Sequence, residues 1–268
     1  MPYSTKMLSL LRDPLGLDPL ELDGDHLVNR ASQRRYPLIE SIPSLLDPAG
    51  LGPLNLKFQR MYDWMSYGYD LAQRVGDVFF RGNIAKLRRE LATRLALKPG
   101  YRCLYTSIGT GLDLPYLAEQ VSLDTVELVG LDLSLGMLRR CKARIHPHEK
   151  TSLLVQANAE RLPFADRSFD VVFHVGGINF FDQPAVAVQE MVRVAKVGAL
   201  ILIADETKDV VKNNYQKSPF TRAYFKDADT SFSPRDWVPP DVRDPVYEEV
   251  WKGKGYILTF HAPQAVLV

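Results

Sequence analysis

The sequence has few cysteines and no long apolar run, and each absence excludes a class of protein. Its two cysteines, Cys103 and Cys141, lie far apart in apolar-patterned segments, which argues against a disulfide framework and favours a reducing compartment. No run approaches the roughly 18 apolar residues that span a bilayer, and the N-terminus lacks a signal-peptide profile. We therefore expect a soluble, cytoplasmic protein without a membrane partner.

The sequence also lacks net charge. Its 33 Lys and Arg residues against 32 Asp and Glu leave a formal charge of +1, so no global field recruits nucleic acid or acidic lipid. Two helical stretches, 81–94 and 139–144, are rich in basic residues such as Arg88, and we expect solvated helix faces there rather than an RNA-binding surface. The expected partner is a small-molecule substrate, and the oligomeric state is left open, a homodimer included.

The pattern of residues changes twice along the chain. Short apolar runs predict a small β-rich domain over 1–50, and apolar spacing of three and four residues predicts a helical cover over 51–98. From 99 to 268, strand-like and helical runs alternate, which predicts a parallel sheet covered on both faces. Within this part, 208–247 contains five prolines and is expected as an irregular insertion on the substrate side. A hairpin over 246–261 follows it, so the expected fold is a Rossmann-like α/β sheet that ends in an antiparallel hairpin.

A glycine loop and an acidic residue suggest a nucleotide-type cofactor. Gly109 and Gly111 stand between a strand and a helix, where backbone N–H groups can approach a ligand, although a plain turn has the same pattern. Asp132 ends the next strand, where a carboxylate can accept hydrogen bonds from two ribose hydroxyls or cap a helix. A dinucleotide loop would have a third glycine where Leu114 stands, so S-adenosylmethionine (SAM) is favoured over NAD.

Five motifs in order, between about residues 98 and 206, give this cofactor a family context. They are Lys98-Pro99-Gly100, Gly109-Thr110-Gly111, the run 130–134, the run 158–164 and the run 190–194. This set resembles the class I SAM-dependent methyltransferases that methylate ubiquinone and menaquinone precursors at carbon. The resemblance implies that Gly109 and Gly111 pass close to the methionine part of SAM and that Asp132 holds its ribose. It also implies an adenine site formed by Leu133, Met137, Asn158 and Ala159.

Further residues are assigned to the reaction side of the site. The helix that carries Tyr62 and Tyr69 resembles the family's tyrosine-rich cover over the methyl-transfer pocket, with an amphipathic core helix as the alternative. Asp205 ends a strand at the edge where ligands bind, or it caps a helix. His174 also follows a strand and is the candidate base beside the cofactor, with a satisfied core histidine as the alternative.

Two positions depart from the family's loop. The acid and the glycine with which that loop begins are replaced here by Tyr105 and Ser107. Because the acid normally helps to fix the amino group of SAM, we expect weaker SAM binding unless Asp113 substitutes for it. Exchanging Tyr105 for Asp and Ser107 for Gly should then tighten binding, provided that Tyr105 is not packed into the pocket. Catalytic competence is therefore an open question.

The first 50 residues carry a second resemblance, to the small zinc-ribbon subunit that activates RNA and protein methyltransferases. It rests on the runs 11–16, 20–22, 27–32 and 35–46. At the four positions where such ribbons have metal-binding cysteines, the chain has Asp13, Gly16, Asn29 and Ser32. Without thiolates we expect no metal, and a ribbon held by apolar packing and by docking onto the larger domain.

Three functions compete on the sequence alone. The first is methyl transfer from SAM to a small aromatic or lipophilic metabolite. The second is a SAM-fold protein that has lost methyl transfer and serves as a binding or scaffold protein, or catalyses another reaction. The third is an RNA or protein methyltransferase fused to an activator-like domain, which the neutral charge and the absence of an Asn/Asp-Pro-Pro-Tyr motif after Asp170 disfavour.

Overall fold

The strands of the protein form two sheets in the computed structural model, which describes residues 5–79, 83–217, 222–225, 231 and 233–264. The N-terminal sheet is antiparallel and consists of β1 (Glu21–Asp23), β2 (His26–Val28), β3 (Arg35–Ile39) and β4 (Ile42–Pro43). The larger sheet consists of β5 (Arg102–Tyr105), β6 (Glu127–Asp132), β7 (Ser152–Gln156), β8 (Phe169–Val175), β9 (Ala195–Glu206), β10 (Arg243–Val250) and β11 (Gly255–His261). Its spatial order is β10-β11-β9-β8-β5-β6-β7.

Helices connect and cover these strands. They are α1 (Thr5–Leu8), α2 (Pro53–Phe79), α3 (Asn83–Arg94), α4 (Leu114–Ala118), α5 (Leu135–Ile145), α6 (Pro184–Val194), α7 (Lys208–Val210) and α8 (Arg222–Phe225). A π-helical turn, Val211–Tyr215, continues from α7. Among the described residues, none of the helices combines the length and the hydropathy that crossing a membrane requires.

The larger sheet confirms the fold expected from the alternating pattern. Strands β7, β6, β5, β8 and β9 are parallel, and β11 pairs antiparallel with both β9 and β10. Every residue of β7 is buried, as expected for a parallel strand whose two faces are both covered. Because parallel strands end at one edge of a sheet, their carboxyl ends bring the loops after β5, β6, β8 and β9 together.

The N-terminal sheet docks onto the edge strand β7. Ser44 forms a parallel bridge with Gln156, whose carbonyl accepts from the Leu45 N–H at 2.8 Å. The Ser44 hydroxyl also donates to Gln156 Oε1 at 2.7 Å. These bonds satisfy an edge that would otherwise expose unpaired backbone groups. Apolar residues of both sheets form one continuous cluster, and the division of the chain into a domain over 1–50 and the segments that follow stays a prediction.

A buried carboxylate stands at the centre of the N-terminal sheet. The Asp13 side chain is fully buried and accepts five hydrogen bonds, from the Leu15 N–H, Asn29, Ser32, Arg34 and Tyr36. Burial raises the pKa of Asp13, but these donors outweigh burial, and the pKa lies below its ordinary value. Three of the four positions where a zinc ribbon has its ligands thus meet through side chains, and the Gly16 N–H donates to the Asp13 carbonyl. The expected absence of zinc stays a prediction.

Asp13→Ala should reduce the free energy of unfolding by about 3 kcal/mol, because Asn29 and Tyr36 would lose a shared buried acceptor. Urea unfolding at neutral pH measures this change. Asp25→Ala is the matched control, since Asp25 is exposed, and it should change stability by less than about 0.5 kcal/mol. Equal effects of the two substitutions would contradict the assigned role of Asp13.

Candidate functional site

The carboxyl ends of the parallel strands open into a cavity of about 790 Å³. This volume falls within the roughly 300–1,000 Å³ of small-molecule sites. The loops after β5, β6, β8 and β9 form one side of the cavity, while residues of α2 and α3 contribute to the other, together with Val210, Tyr215 and Phe225. The cavity therefore lies where the fold places its ligands, at the carboxyl edge of the sheet.

The loop after β5 leaves space for a ligand and contacts Asp132. Gly109 has a φ of 55°, and a Cβ built there would meet nothing within 4 Å, so the backbone faces open space. The Gly109 N–H donates to Asp132 Oδ2 at 2.8 Å, and the Ser134 N–H donates to Oδ1 at 2.9 Å. Burial raises the pKa of Asp132 to about 6. Each carboxylate oxygen has a further lone pair, so Asp132 can also accept from ligand hydroxyls.

Helix α2 closes the cavity from above and is held in place by aspartates. Asp63 Oδ1 accepts from the Ser134 hydroxyl at 2.6 Å and from the Gly136 N–H at 2.8 Å. Asp70 accepts from the Thr110 hydroxyl at 2.6 Å, and its second oxygen pairs with Arg144 at 2.7 Å. These bonds tie α2 to the glycine loop and to the start of α5.

The two tyrosines of α2 line the cavity as the resemblance implied. The rings of Tyr62 and Tyr69 meet edge to face, with centroids 6.4 Å apart. Burial raises the pKa of Tyr69 to about 12 and that of Tyr62 well above its ordinary value. Both hydroxyls therefore stay protonated at neutral pH and can donate hydrogen bonds to a ligand.

The altered end of the glycine loop contains a connected set of charges. The buried Tyr105 hydroxyl donates to Asp113 Oδ2 at 2.6 Å, and the Tyr105 ring packs 4.3 Å from that of Phe173. Arg88 donates to Asp113 Oδ1 at 2.6 Å, and both side chains of this ion pair are mostly buried. Asp113 thus lies beside Tyr105 in the cavity wall, and Arg88 brings a positive charge to the same wall. The expectation of a solvated face was wrong for Arg88.

Ser107 and Gly111 serve the packing of the loop. The Ser107 hydroxyl donates to the Val175 carbonyl at 3.1 Å, which ties the loop to the end of β8. Ser107 lines the cavity, whereas Gly111 does not. With a φ of 79°, Gly111 faces the protein, and a Cβ there would lie 2.8 Å from Cys141 Sγ. Its small size therefore allows α5 to approach, and the structure does not place it at the ligand.

The opposite end of the cavity combines a buried acid, Asp205, and a partly buried one, Glu206, with aromatic rings. Asp205 accepts from the N–H groups of Gly177, Asn179 and Glu206, and Glu206 Oε1 accepts from the Tyr215 hydroxyl at 2.6 Å. Burial raises the pKa of both acids, that of Asp205 to about 7 with a contribution from Glu206. Beside them lies a cluster of packed rings, Phe58, Tyr62, Phe180, Tyr215 and Phe225.

His174 lies behind the cavity wall and not on it. It is fully buried, its Nδ1 lies 3.0 Å from the Thr106 hydroxyl, and its ring meets Phe181 edge to face. Burial lowers the pKa of His174 to about 3, so the ring is neutral at physiological pH. It is not among the residues that line the cavity, and the geometry gives the proposed base role no support.

The structure brings most of the predicted site residues into this one cavity. They are Tyr62, Tyr69, Tyr105, Ser107, Gly109, Asp132, Leu133, Met137, Asn158, Ala159 and Asp205. Sequence reasoning left Arg88 out of the site, and of the ring cluster it included only Tyr62. The sequence gives only weak signals for these residues, because Arg88 belongs to a basic helix and the rings are far apart along the chain.

Comparisons with known proteins agree with this geometry. A family model described as a methyltransferase domain matches residues 104–203. A demethylmenaquinone methyltransferase of Beutenbergia cavernae is 30% identical over 73% of this chain and 83% of its own length. One of Renibacterium salmoninarum is 32% identical over 54% of this chain, and the match spans 56% of that protein, little more than half. The solved structure of Haemonchus contortus phosphoethanolamine N-methyltransferase 2 with SAM aligns with a TM-score of 0.56 at 16% identity, over 83% of this chain and 62% of that one.

The strand order of the larger sheet and the cavity at its carboxyl edge are those of a class I α/β methyltransferase. The chain belongs to the SAM-dependent methyltransferase family and is distantly related to the quinone C-methyltransferases. The cofactor that this family implies is SAM, and the open space beside Gly109 and the free lone pairs of Asp132 fit its ribose.

Tyr105→Asp should reduce the free energy of unfolding by about 3 kcal/mol or more, because a second carboxylate would be buried beside Asp113. Tyr105→Phe is the control, since it removes one hydrogen bond and should cost about 1 kcal/mol. Chemical unfolding of both variants tests this ranking. If the double variant Tyr105→Asp, Ser107→Gly were stable and bound SAM more tightly, this ranking would be contradicted and the expectation from the sequence would hold.

Proposed function

We propose that this chain transfers the methyl group of SAM to a small, lipophilic aromatic metabolite. The observation that carries the proposal is the cavity itself, which joins the SAM-type loop and Asp132 to a wall of rings and buried acids. The names of the curated relatives support a ring of the demethylmenaquinone type as the substrate class.

The residues of the cavity suit SAM at its adenosine end. Asp132 would accept from the ribose hydroxyls, while Leu133 and Met137 would contact the adenine and Asn158 would meet its edge. At the other end, Asp113 would attract the amino group and Arg88 the carboxylate of the amino acid part. When bound, SAM supplies an electrophilic methyl group, and the protein needs to orient the acceptor and exclude water.

The ring cluster would orient the acceptor. Phe58 and Phe180 stack with centroids 5.0 Å apart, and Phe225 packs against both. An apolar wall of this kind favours a flat, apolar ring and leaves little room for water. Tyr62 belongs to the same cluster and lies on the helix that closes the cavity, so one helix contributes to both binding and closure.

Glu206 is the better candidate for a general base than His174. A methyl acceptor must lose a proton, from a hydroxyl or from the methylated carbon, and Glu206 can take it because it lines the cavity. The Tyr215 hydroxyl, which donates to Glu206 Oε1, holds the carboxylate in one orientation. Asp205, next to it, is held by three backbone N–H groups and serves a positioning role.

A second candidate function is a SAM-fold protein that binds ligands without methyl transfer. The observation that favours it is the Tyr105–Asp113–Arg88 set, in which Asp113 is already engaged by two donors. An acid in this state has less capacity for the amino group of SAM than an unpaired one. The two functions differ in turnover, and the following two experiments separate them.

SAM at 100 times its dissociation constant should raise the free energy of unfolding by about 2.7 kcal/mol, visible as a higher melting temperature. Asp132→Asn should weaken binding at least tenfold in calorimetry, because the charged acceptor of the ribose is lost. Asp124→Asn is the matched control, since Asp124 is exposed and pairs with His148 away from the cavity. An unchanged affinity in the Asp132 variant would reject the ribose assignment.

The rate of methyl transfer should rise with pH through an apparent pKa above that of an ordinary glutamate and then level off, because burial raises the pKa of Glu206 and the base acts in its deprotonated form. Transfer of a labelled methyl group from SAM to reduced demethylmenaquinone measures this profile. Glu206→Gln should lower kcat about a hundredfold with a smaller change in KM, whereas Glu249→Gln, on the exposed hairpin, should leave kcat unchanged. SAM binding without turnover at any pH would favour the second candidate function.

A further inference from the structure

Helix α2 has a second face that the cavity does not use. Its inner face carries Phe58, Tyr62 and Tyr69 toward the cavity. Its opposite face exposes four large apolar side chains, Trp64 (75% exposed), Tyr67 (82%), Leu71 (68%) and Val75 (46%). Apolar surface of this extent on one helix face marks an interaction site in a folded protein.

These four residues form one stripe together with two cations. Lys57, Arg60, Trp64, Tyr67, Leu71 and Val75 follow one another at intervals of three and four residues. Such intervals place side chains on a single helix face. We call this stripe the outer face of α2. It runs along five turns of the helix, which gives a long, narrow surface rather than a compact pocket.

The exposed charges of α2 that are described beside the outer face, Arg60 and Arg74, are positive, while Asp70, which interacts with Arg74, is partly buried. Arg60 and Arg74 have no ion-pair partner among the residues that the structure describes, and the guanidinium of Arg140 lies 4.8 Å from the centre of the Tyr67 ring. The acids of α2 whose side chains are described, Asp63 and Asp70, are instead bonded to α5 and to the glycine loop. The outer face is thus apolar along its centre and basic at its sides.

We propose that the outer face of α2 binds the surface of an anionic lipid bilayer. Trp and Tyr prefer the interface between headgroups and acyl chains, and Lys and Arg are attracted to anionic headgroups. A helix that lies in the plane of the interface buries one stripe and keeps its other face on the protein, as α2 does. Pairing with a second copy of the chain through this face would bring like charges together, which disfavours self-association.

The proposed membrane binding differs from the expectation, drawn from the sequence, that the protein has no membrane partner. The net charge of +1 does not reveal it, because a net charge carries no information about where on the fold the cations and acids lie. The link to the substrate rests on the proposed function. A lipophilic ring held in the bilayer would meet the helix whose inner face lines the cavity, so docking would present the cavity to its substrate.

Vesicle binding by the full chain tests the proposal without cofactor or substrate. Co-sedimentation is measured with phosphatidylcholine vesicles, with and without phosphatidylglycerol. The expected result is binding to the anionic vesicles only, weakened by high salt. Arg60→Glu with Arg74→Glu should weaken it about thirtyfold or more, and Trp64→Ser with Leu71→Ser should weaken binding at all salt concentrations.

Two matched controls lie on exposed sites away from α2. Lys150→Glu reverses a charge just before β7, at the amino end of the sheet, and Val246→Ser removes an exposed apolar side chain on β10. Both should bind as the unaltered chain does, and circular dichroism confirms that every variant is folded. The absence of binding to anionic vesicles, or equal binding by all variants, would overturn the proposal. So would a dimer in solution that only the Trp64→Ser, Leu71→Ser variant disrupts.

Discussion

The position of α2 is the constraint on which the rest of the site depends. Three aspartates fix it, two on α2 itself and one, Asp182, just before α6. Asp182 accepts from the Leu54 and Asn55 N–H groups and so caps the start of the helix, Asp63 ties its middle to α5, and Asp70 ties it to Thr110. A carboxylate at a helix N-terminus is stabilised by the unpaired N–H groups there. With α2 held in this way, its inner face closes the cavity and its outer face points to solvent.

Buried carboxylates also appear where the chain departs from the patterns that it resembles. Asp13 accepts from Asn29 and Ser32, which stand at two further zinc-ligand positions of the ribbon pattern, and Asp113 accepts from the hydroxyl of Tyr105, which stands where the family's loop has an acid. In both cases one acid accepts from several donors and so satisfies groups that would otherwise be buried without partners. The N-terminal resemblance to the activator subunit stays a prediction, although a small antiparallel sheet is present and docks onto β7.

The sequence predicted the fold and the position of Asp132 on the cavity because these follow local rules. Alternating strands and helices indicate a parallel sheet, and a residue that ends such a strand, as Asp132 does, lies at the ligand edge. The roles of Arg88, Gly111 and His174 depend on contacts between distant segments. Arg88 meets Asp113 across 25 residues, and Gly111 is small because Cys141 approaches it. Periodicity within one helix or strand carries no information about such partners.

The two acids at the ring-lined end of the cavity, Asp205 and Glu206, bear on whether the chain is an enzyme or a SAM-fold protein that has lost methyl transfer. Asp205 is buried and Glu206 is partly buried, and among the described residues neither forms an ion pair. Burial of carboxylates without a cation costs stability, as their raised pKa values indicate. A chain that kept this fold only as a scaffold would gain stability by exchanging either acid for a neutral residue, since stabilising substitutions of this kind are easy to find. Carboxylates with raised pKa values cluster at sites where protons are transferred. The raised pKa values of Asp205 and Glu206 therefore argue that the ring-lined end of the cavity has kept a catalytic role.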